Sequence, residues 1–172
     1  MSSSIAIASG KGGVGKTTIA VNLSLTLCQM GSKVSLMDAD FGLANAHILL
    51  GINPKRTIRD LLKNNLPLED IIETGPSGLK FISGGNGLID ILNIEKNSKY
   101  QLIRALDPIQ KNTDYLLVDI PAGASDNSMT FASAVDKLII VLVSEPTSFM
   151  DAYTFIKTAK LDHNINHFSI VV

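Results

Sequence analysis

The run Gly10-Lys11-Gly12-Gly13-Val14-Gly15-Lys16-Thr17-Thr18 carries the residues of this chain best suited to holding polyphosphate. Gly10, Gly15, Lys16 and Thr17 fit the spacing G-x-x-x-x-G-K-[ST]. The run follows a strand-like apolar segment and opens a helical one, which is the context that makes the spacing a phosphate loop. Backbone N–H groups of Gly12 to Thr17 are expected to point into a concave nest at a helix N-terminus, where the macrodipole adds partial positive charge. Lys16 then reaches the β- and γ-phosphates of a nucleotide, the Thr17 hydroxyl ligates Mg²⁺, and Thr18 donates toward the α-phosphate. One lysine suffices for that work, so Lys11 is a second cation without a task in its own loop.

A metal bound beside phosphates needs carboxylates. "YLLVDIPAG" offers Asp119 at the end of a buried strand, where a carboxylate is costly unless it faces a cation or hydrogen bonds. Mg²⁺ supplies such a cation. Gly123, just beyond, is placed to bring its N–H to the γ-phosphate as a nucleotide-sensing switch. A second acidic stretch, "MDADFGLAN", follows another strand and puts Asp38 and Asp40 on the sheet edge where doubly wound folds bind ligands. One of the two suits the outer shell of the metal and the other suits orienting an attacking water; spacing alone does not say which.

These groups must be positioned by the elements around them. Apolar runs "SIAIAS", "KVSLMD", "LKFIS", "YLLVDI", "KLIIVLV" and "HFSIVV" recur along the chain, separated by segments of helical spacing or composition. Continuous apolarity means that both faces of each strand are covered. The pattern predicts an α/β fold: a three-layer, doubly wound, mainly parallel sheet with the runs near Ser4, Lys33, Tyr115 and Lys137 adjacent at its centre. The first helix is expected to bury Ala20, Leu23, Leu27 and Met30 and to stop at Gly31. "GINPKRTIRDLL" and "GPSGLKFISGGNG" supply turns. No repeat or interior linker marks a boundary, so residues 1–172 are read as a single P-loop ATPase domain. Because "SIVV" stops as a strand begins, the fold is expected to continue past Val172.

Composition narrows the class. The chain has 172 residues, 45% of them apolar and 18% charged, with 15 basic against 16 acidic residues and a net charge of −1. No overall basic field is available to hold nucleic acid or an anionic membrane. A single Cys28, in a helical segment, is read as a buried thiol of a reducing compartment. With no signal peptide and no apolar run near the ~20 residues of a spanning helix, a cytosolic location is expected.

"KGGVGKTT", "DADFGLAN", "DIPAG" and "EPTSFMDAYTFIK" resemble the deviant Walker A ATPases of the MinD/ParA type, nearly end to end. "FGLANAHILLGI" and "GPSGLKFISGGNG" look most like the flagellar-number regulators, FlhG or FleN, with the division-site regulator MinD as near neighbour. The resemblance implies ATP and Mg²⁺ as ligands, slow partner-regulated hydrolysis, and an ATP-dependent homodimer read by regulatory protein partners. It implies that Lys11 reaches across the dimer to the partner's phosphates, as an arginine finger does in trans, where such cations are worth about 10³ to 10⁵ in rate. It assigns Asp40 to the attacking water and Asp38 and Asp119 to the Mg²⁺ shell, so Lys11, Lys16 and Asp40 form the catalytic set. A cytoplasmic protein peripheral to the inner membrane or cell pole is implied, through an amphipathic helix beyond this sequence.

Two departures qualify that expectation. The first strand begins within about four residues of Met1, without the N-terminal extension by which flagellar relatives stimulate a partner GTPase. The adenine-contacting asparagine and membrane helix of relatives match no residue here. Other readings are a ParA that partitions DNA, a tyrosine autokinase, an iron–sulfur carrier and an ATP-dependent metabolic enzyme. A bridging cluster needs paired cysteines and the chain has only Cys28; an autokinase needs a tyrosine-rich tail, and Tyr100, Tyr115 and Tyr153 are scattered. Duplex DNA is disfavoured by the near-neutral charge, and nothing marks a second-substrate pocket for a metabolic enzyme. His163 and His167, four residues apart, are read as loop residues because "NIN" does not support a helix between them. "TSFMDAYTFIKTAK" is read as a helix covering the sheet.

Overall fold

The computed structural model describes residues 2–42, 44–64, 66–85, 104 and 107–172. Among these, one sheet is built from β1 (Ser3–Ala8), β2 (Val34–Asp38), β3 (Ile72–Thr74), β4 (Lys80–Ser83), β5 (Tyr115–Asp119), β6 (Lys137–Val141) and β7 (Phe168–Val171). The strand order is β3-β4-β2-β5-β1-β6-β7. Every neighbouring pair is parallel except β3 with β4. The four runs read as central are adjacent, as β2-β5-β1-β6. The edge strand β3, three residues long, is too short to show a period in the sequence. Asn86 and Gly87, the end of one turn-rich stretch, and Tyr100 lie outside the described residues.

The helices are α1 (Lys16–Gln29), α2 (Ala46–Leu50), α3 (Ile58–Asn64), α4 (Asp107–Asn112), α5 (Asp126–Ser133) and α6 (Pro146–His163). Successive strand residues explain the layers. Ile7, Leu36, Phe81 and Leu117 pack with Ala20 and Val21 of α1 and with Ala46 and Leu50 of α2. Their neighbours Ala6, Met37, Ile82 and Val118 pack on the other side with Ile109 of α4, Phe131 of α5 and Phe155 of α6. Burying each large apolar side chain is worth about 1.5–3 kcal/mol, and here both faces of one strand contribute. That is why the strands read as unbroken apolar runs instead of alternating ones.

The buried stripe of α1 differs from the one expected. Ala20, Val21 and Ser24 are buried, Leu23 and Leu27 are half-buried, and Met30 is 76% exposed. Small residues let the helix lie close to the sheet, and Ser24 satisfies its hydroxyl on the Ala20 carbonyl at 2.7 Å. Met30 falls outside because the helix ends at Gln29, and Gly31, at φ +90°, turns the chain away. Cys28 is half-buried rather than fully enclosed, though burial still pushes its thiol up from the usual range. Among the described residues no helix is long and apolar enough to cross a membrane.

Candidate functional site

Strand order brings the site together. Because β5 lies between β2 and β1, Asp38 and Asp119 pair in register at the ends of adjacent strands, and the loop leaving β1 rises beside them. In that loop Gly13 and Gly15 have φ of +80° and +89°, where a β-carbon is strained. Val14 drops its side chain into the core, so it serves the site through its backbone. Gly15 occupies the N-cap of α1 without any side-chain cap, and the first turn carries no acid. The N–H groups and positive end of that helix are therefore left for an anion from outside.

Gly10 is required for a reason the motif does not reveal. A β-carbon there would lie 2.2 Å from the carbonyl carbon of Asp151 and 2.5 Å from the Ala152 nitrogen, both backbone of α6. Gly12 has open space and ordinary backbone. Gly10→Ala is expected to lower stability by about 3 kcal/mol and Gly12→Ala by less than about 0.5, read as shifts in urea midpoint. Equal midpoints for the two variants would contradict this packing.

The charged groups are buried. Lys16 and Asp119 form an ion pair through Asp119 Oδ1, with side-chain exposures of 8% and 1%. Asp119 Oδ2 is enclosed with no hydrogen-bond partner among the described residues. Burial raises the Asp119 pKa, against the opposing effects of the Lys16 charge and the nearby Thr17 hydroxyl; the hydroxyl favours the ionised form without completing a bond to Oδ2. Asp38 accepts the Asp40 N–H at 3.1 Å and the Ala46 N–H at 3.0 Å. Burial nevertheless pushes its pKa up to about 6; the charges of Asp119 and Asp40 add to the rise, and the two N–H groups oppose it.

That rise fixes a sign. The folded carboxyl of Asp38 takes up a proton more readily than the unfolded one, so its ionisation costs stability as pH climbs through 6. Without nucleotide or metal, stability is expected to increase by about 1 kcal/mol between pH 7.5 and pH 5, and Asp38→Asn should flatten that slope. Urea unfolding in EDTA at the two values measures it. A parent less stable at pH 5, or an unchanged slope in the variant, would count against the buried ionised carboxylate.

The donor set fits Mg²⁺. Thr17, Asp38 and Asp119 offer hard oxygens, and Asp119 Oδ2 is a buried acceptor with no hydrogen-bond partner among the described residues. Among the described residues no group of three or more His, Cys, Asp or Glu could hold a metal by itself. This accords with an ion that takes one or two carboxylates and completes its shell with phosphate and water.

A pocket of about 480 Å³ opens above these groups, lined by Gly12, Gly13, Lys16, Thr17, Thr18 and Asp40. Ser9, Gly15, Asn45, Ile48, Leu49 and Ala122 complete its wall; Asn45, Ile48 and Leu49 fall in "FGLANAHILLGI" and Ala122 in "DIPAG", though residue type alone assigns none of these four a role. Ile48 and Leu49 are 66% and 53% exposed at its rim. Gly123 donates its N–H to the Ser9 carbonyl at 2.8 Å, so that hydrogen is not offered to a γ-phosphate unless this bond breaks. Lys11 turns away from the pocket: its Nζ contacts Glu145 Oε2 at 3.0 Å and Thr147 Oγ1 at 3.4 Å, at the start of α6. His163 ends α6 and His167 precedes β7, both exposed.

A family model described as "ParA: NUBPL iron-transfer P-loop NTPase" matches residues 1–171. The antiactivator FleN of Pseudomonas aeruginosa is 40% identical over 167 residues, covering 97% of this chain and 60% of FleN. The flagellum site-determining protein YlxH of Helicobacter pylori is 36% identical, over 89% of this chain and 52% of YlxH. The chain thus spans roughly half to three-fifths of the length of these relatives. Among solved structures, the septum site-determining protein MinD of Pyrococcus horikoshii, complexed with Mg-ADP, superposes with a TM-score of 0.82 at 28% identity. That match covers 99% of this chain and 68% of the MinD chain.

Proposed function

We propose, since this chain belongs to the ParA/MinD family of P-loop NTPases, that it is an ATP-binding and ATP-hydrolysing switch that dimerises with ATP and sets the number or placement of a bacterial flagellum-type structure. The observation that carries the nucleotide reading is the uncapped start of α1 beside a buried Lys16–Asp119 pair with one carboxylate oxygen left over. Before nucleotide arrives the two charges satisfy each other. A bound polyphosphate would draw Lys16 toward its β- and γ-phosphates, and Asp119, Asp38 and the Thr17 hydroxyl are the residues that would hold Mg²⁺. Mg²⁺ when bound supplies neutralisation of phosphate charge. Thr18 donates at the α-phosphate, Gly10 to Gly15 shape the nest, Gly123 senses the γ-phosphate once its bond to Ser9 opens, and Asp40 at the pocket wall orients water.

Lys11 is proposed to act on a second copy. Its direction away from its own pocket supports this, as do the exposed apolar Ile48 and Leu49 at the rim, which a second copy would cover. Residues 1–172 are proposed to act as one ATPase unit in the cytoplasm, peripheral at the inner membrane or cell pole, with regulatory proteins as its partners. The flagellar reading is preferred over division-site placement because FleN is 40% identical over 97% of this chain and YlxH, a flagellum site-determining protein, 36% over 89%, against 34% over 86% for a putative MinD of Oltmannsiellopsis viridis. Phosphate release from ATP tests the core of the proposal: slow turnover that stops in EDTA is expected. Absence of both turnover and Mg²⁺-dependent ATP binding would overturn it.

A further inference from the structure

We infer that Glu145 is a restraint on Lys11 within the same subunit, holding the second lysine of the loop until phosphates on a partner copy take it. The inference rests on the dimer reading above and adds a threshold to it. The Lys11 ammonium has two acceptors on its own chain, the Glu145 carboxylate at 3.0 Å and the Thr147 hydroxyl at 3.4 Å. Both members of the ion pair are solvent-accessible, with side-chain exposures of 43% and 58%. Such a pair is weak and open to exchange, as a restraint that must yield has to be.

Three features make it a built contact. Glu145 is the N-cap residue of the 18-residue α6, yet its carboxylate makes no capping bond and is used on Lys11 instead. When Lys11 departs, the positive end of α6, whose first turn carries no acid, still favours the carboxylate, so release strands no charge. Gly10, next to Lys11, lies against the Asp151–Ala152 backbone of the same helix, which fixes the base of the lysine relative to Glu145 and leaves only the side chain to move. A polyphosphate with Mg²⁺ offers denser charge and more acceptor oxygens than one carboxylate and wins the exchange only when a second nucleotide-loaded copy presents it.

The test uses the full chain carrying Asp40→Ala, so that ATP persists, with light scattering after size exclusion over a protein titration in excess Mg·ATP. Glu145→Gln is expected to reach half-dimerisation at about 2- to 5-fold lower protein concentration, with ATP affinity of the dilute monomer unchanged. Thr147→Val should move it in the same direction by less, and keeps the test open if Glu145→Gln folds poorly. A parent that dimerises while neither variant shifts the threshold overturns the restraint alone. A Glu145→Gln variant that dimerises less readily also overturns it, placing Glu145 in the interface. A parent that stays monomeric with ATP overturns the dimer reading and the restraint with it.

Discussion

Lys16→Ala is expected to lower the affinity for Mg·ATP by about 10²-fold or more, because among the described residues no other cation lines the pocket proposed to hold the β- and γ-phosphates. Lys11, the other lysine of the loop, is held on α6 by Glu145 and faces away. The structure adds a complication that the motif alone does not show. Lys16 is also the counter-ion of the buried Asp119, and removing one member of a buried pair costs about 3–5 kcal/mol. A single variant that fails to bind could simply be unfolded. The double variant Lys16→Ala/Asp119→Asn removes both charges and should recover most of that stability while still failing to bind ATP. Titration calorimetry alongside urea unfolding separates the two effects. If Lys16→Ala binds ATP like the parent, or if the stable double variant does, the phosphates do not sit at the start of α1.

What the sequence makes legible follows from what is local. Each parallel strand is buried on two faces, so its apolar run is unbroken and visible, and a phosphate loop uses consecutive residues. The adjacency of Asp38 and Asp119 is of another kind: it arises because β5 inserts between β2 and β1, and no spacing along the chain encodes that insertion. Gly10 shows a motif position serving two masters, since its missing β-carbon makes room for α6 whatever it does for phosphate. Met30 departs from the expected stripe because α1 ends at Gln29 and Gly31 turns the chain, while helical spacing by itself carries no mark of that stop. The contact of Lys11 with Glu145 and Thr147 joins distant segments; both acceptors lie in the "EPTSFMDAYTFIK" stretch, but nothing in its spacing points to the phosphate loop.

Asp40→Ala and Lys11→Ala are expected to fail in opposite ways, at different steps of one cycle. Asp40 sits at the pocket wall, where its backbone N–H anchors Asp38 and its Oδ1 accepts the Gly42 N–H at 3.3 Å. Truncating its side chain leaves the phosphate loop intact but removes the carboxylate proposed to orient water, so on that proposal hydrolysis should fall by about 10²-fold or more while ATP stays bound. The variant should therefore accumulate as an ATP-bound dimer. Lys11→Ala keeps Lys16 and the backbone nest and should bind ATP in its own loop within about 3-fold of the parent, since Lys11 does not line that pocket. Without the proposed charge-assisted contact across a dimer interface it should remain monomeric with ATP, and its hydrolysis should drop by about 10³-fold if the lysine also steadies the transition state in trans. Light scattering with ATP and with ADP, paired with phosphate release, reads both variants on one preparation of the full-length chain. A Lys11→Ala protein that dimerises with ATP, or an Asp40→Ala protein that hydrolyses normally, would leave the two-lysine loop as a phosphate cradle alone and remove the mechanism from the switch.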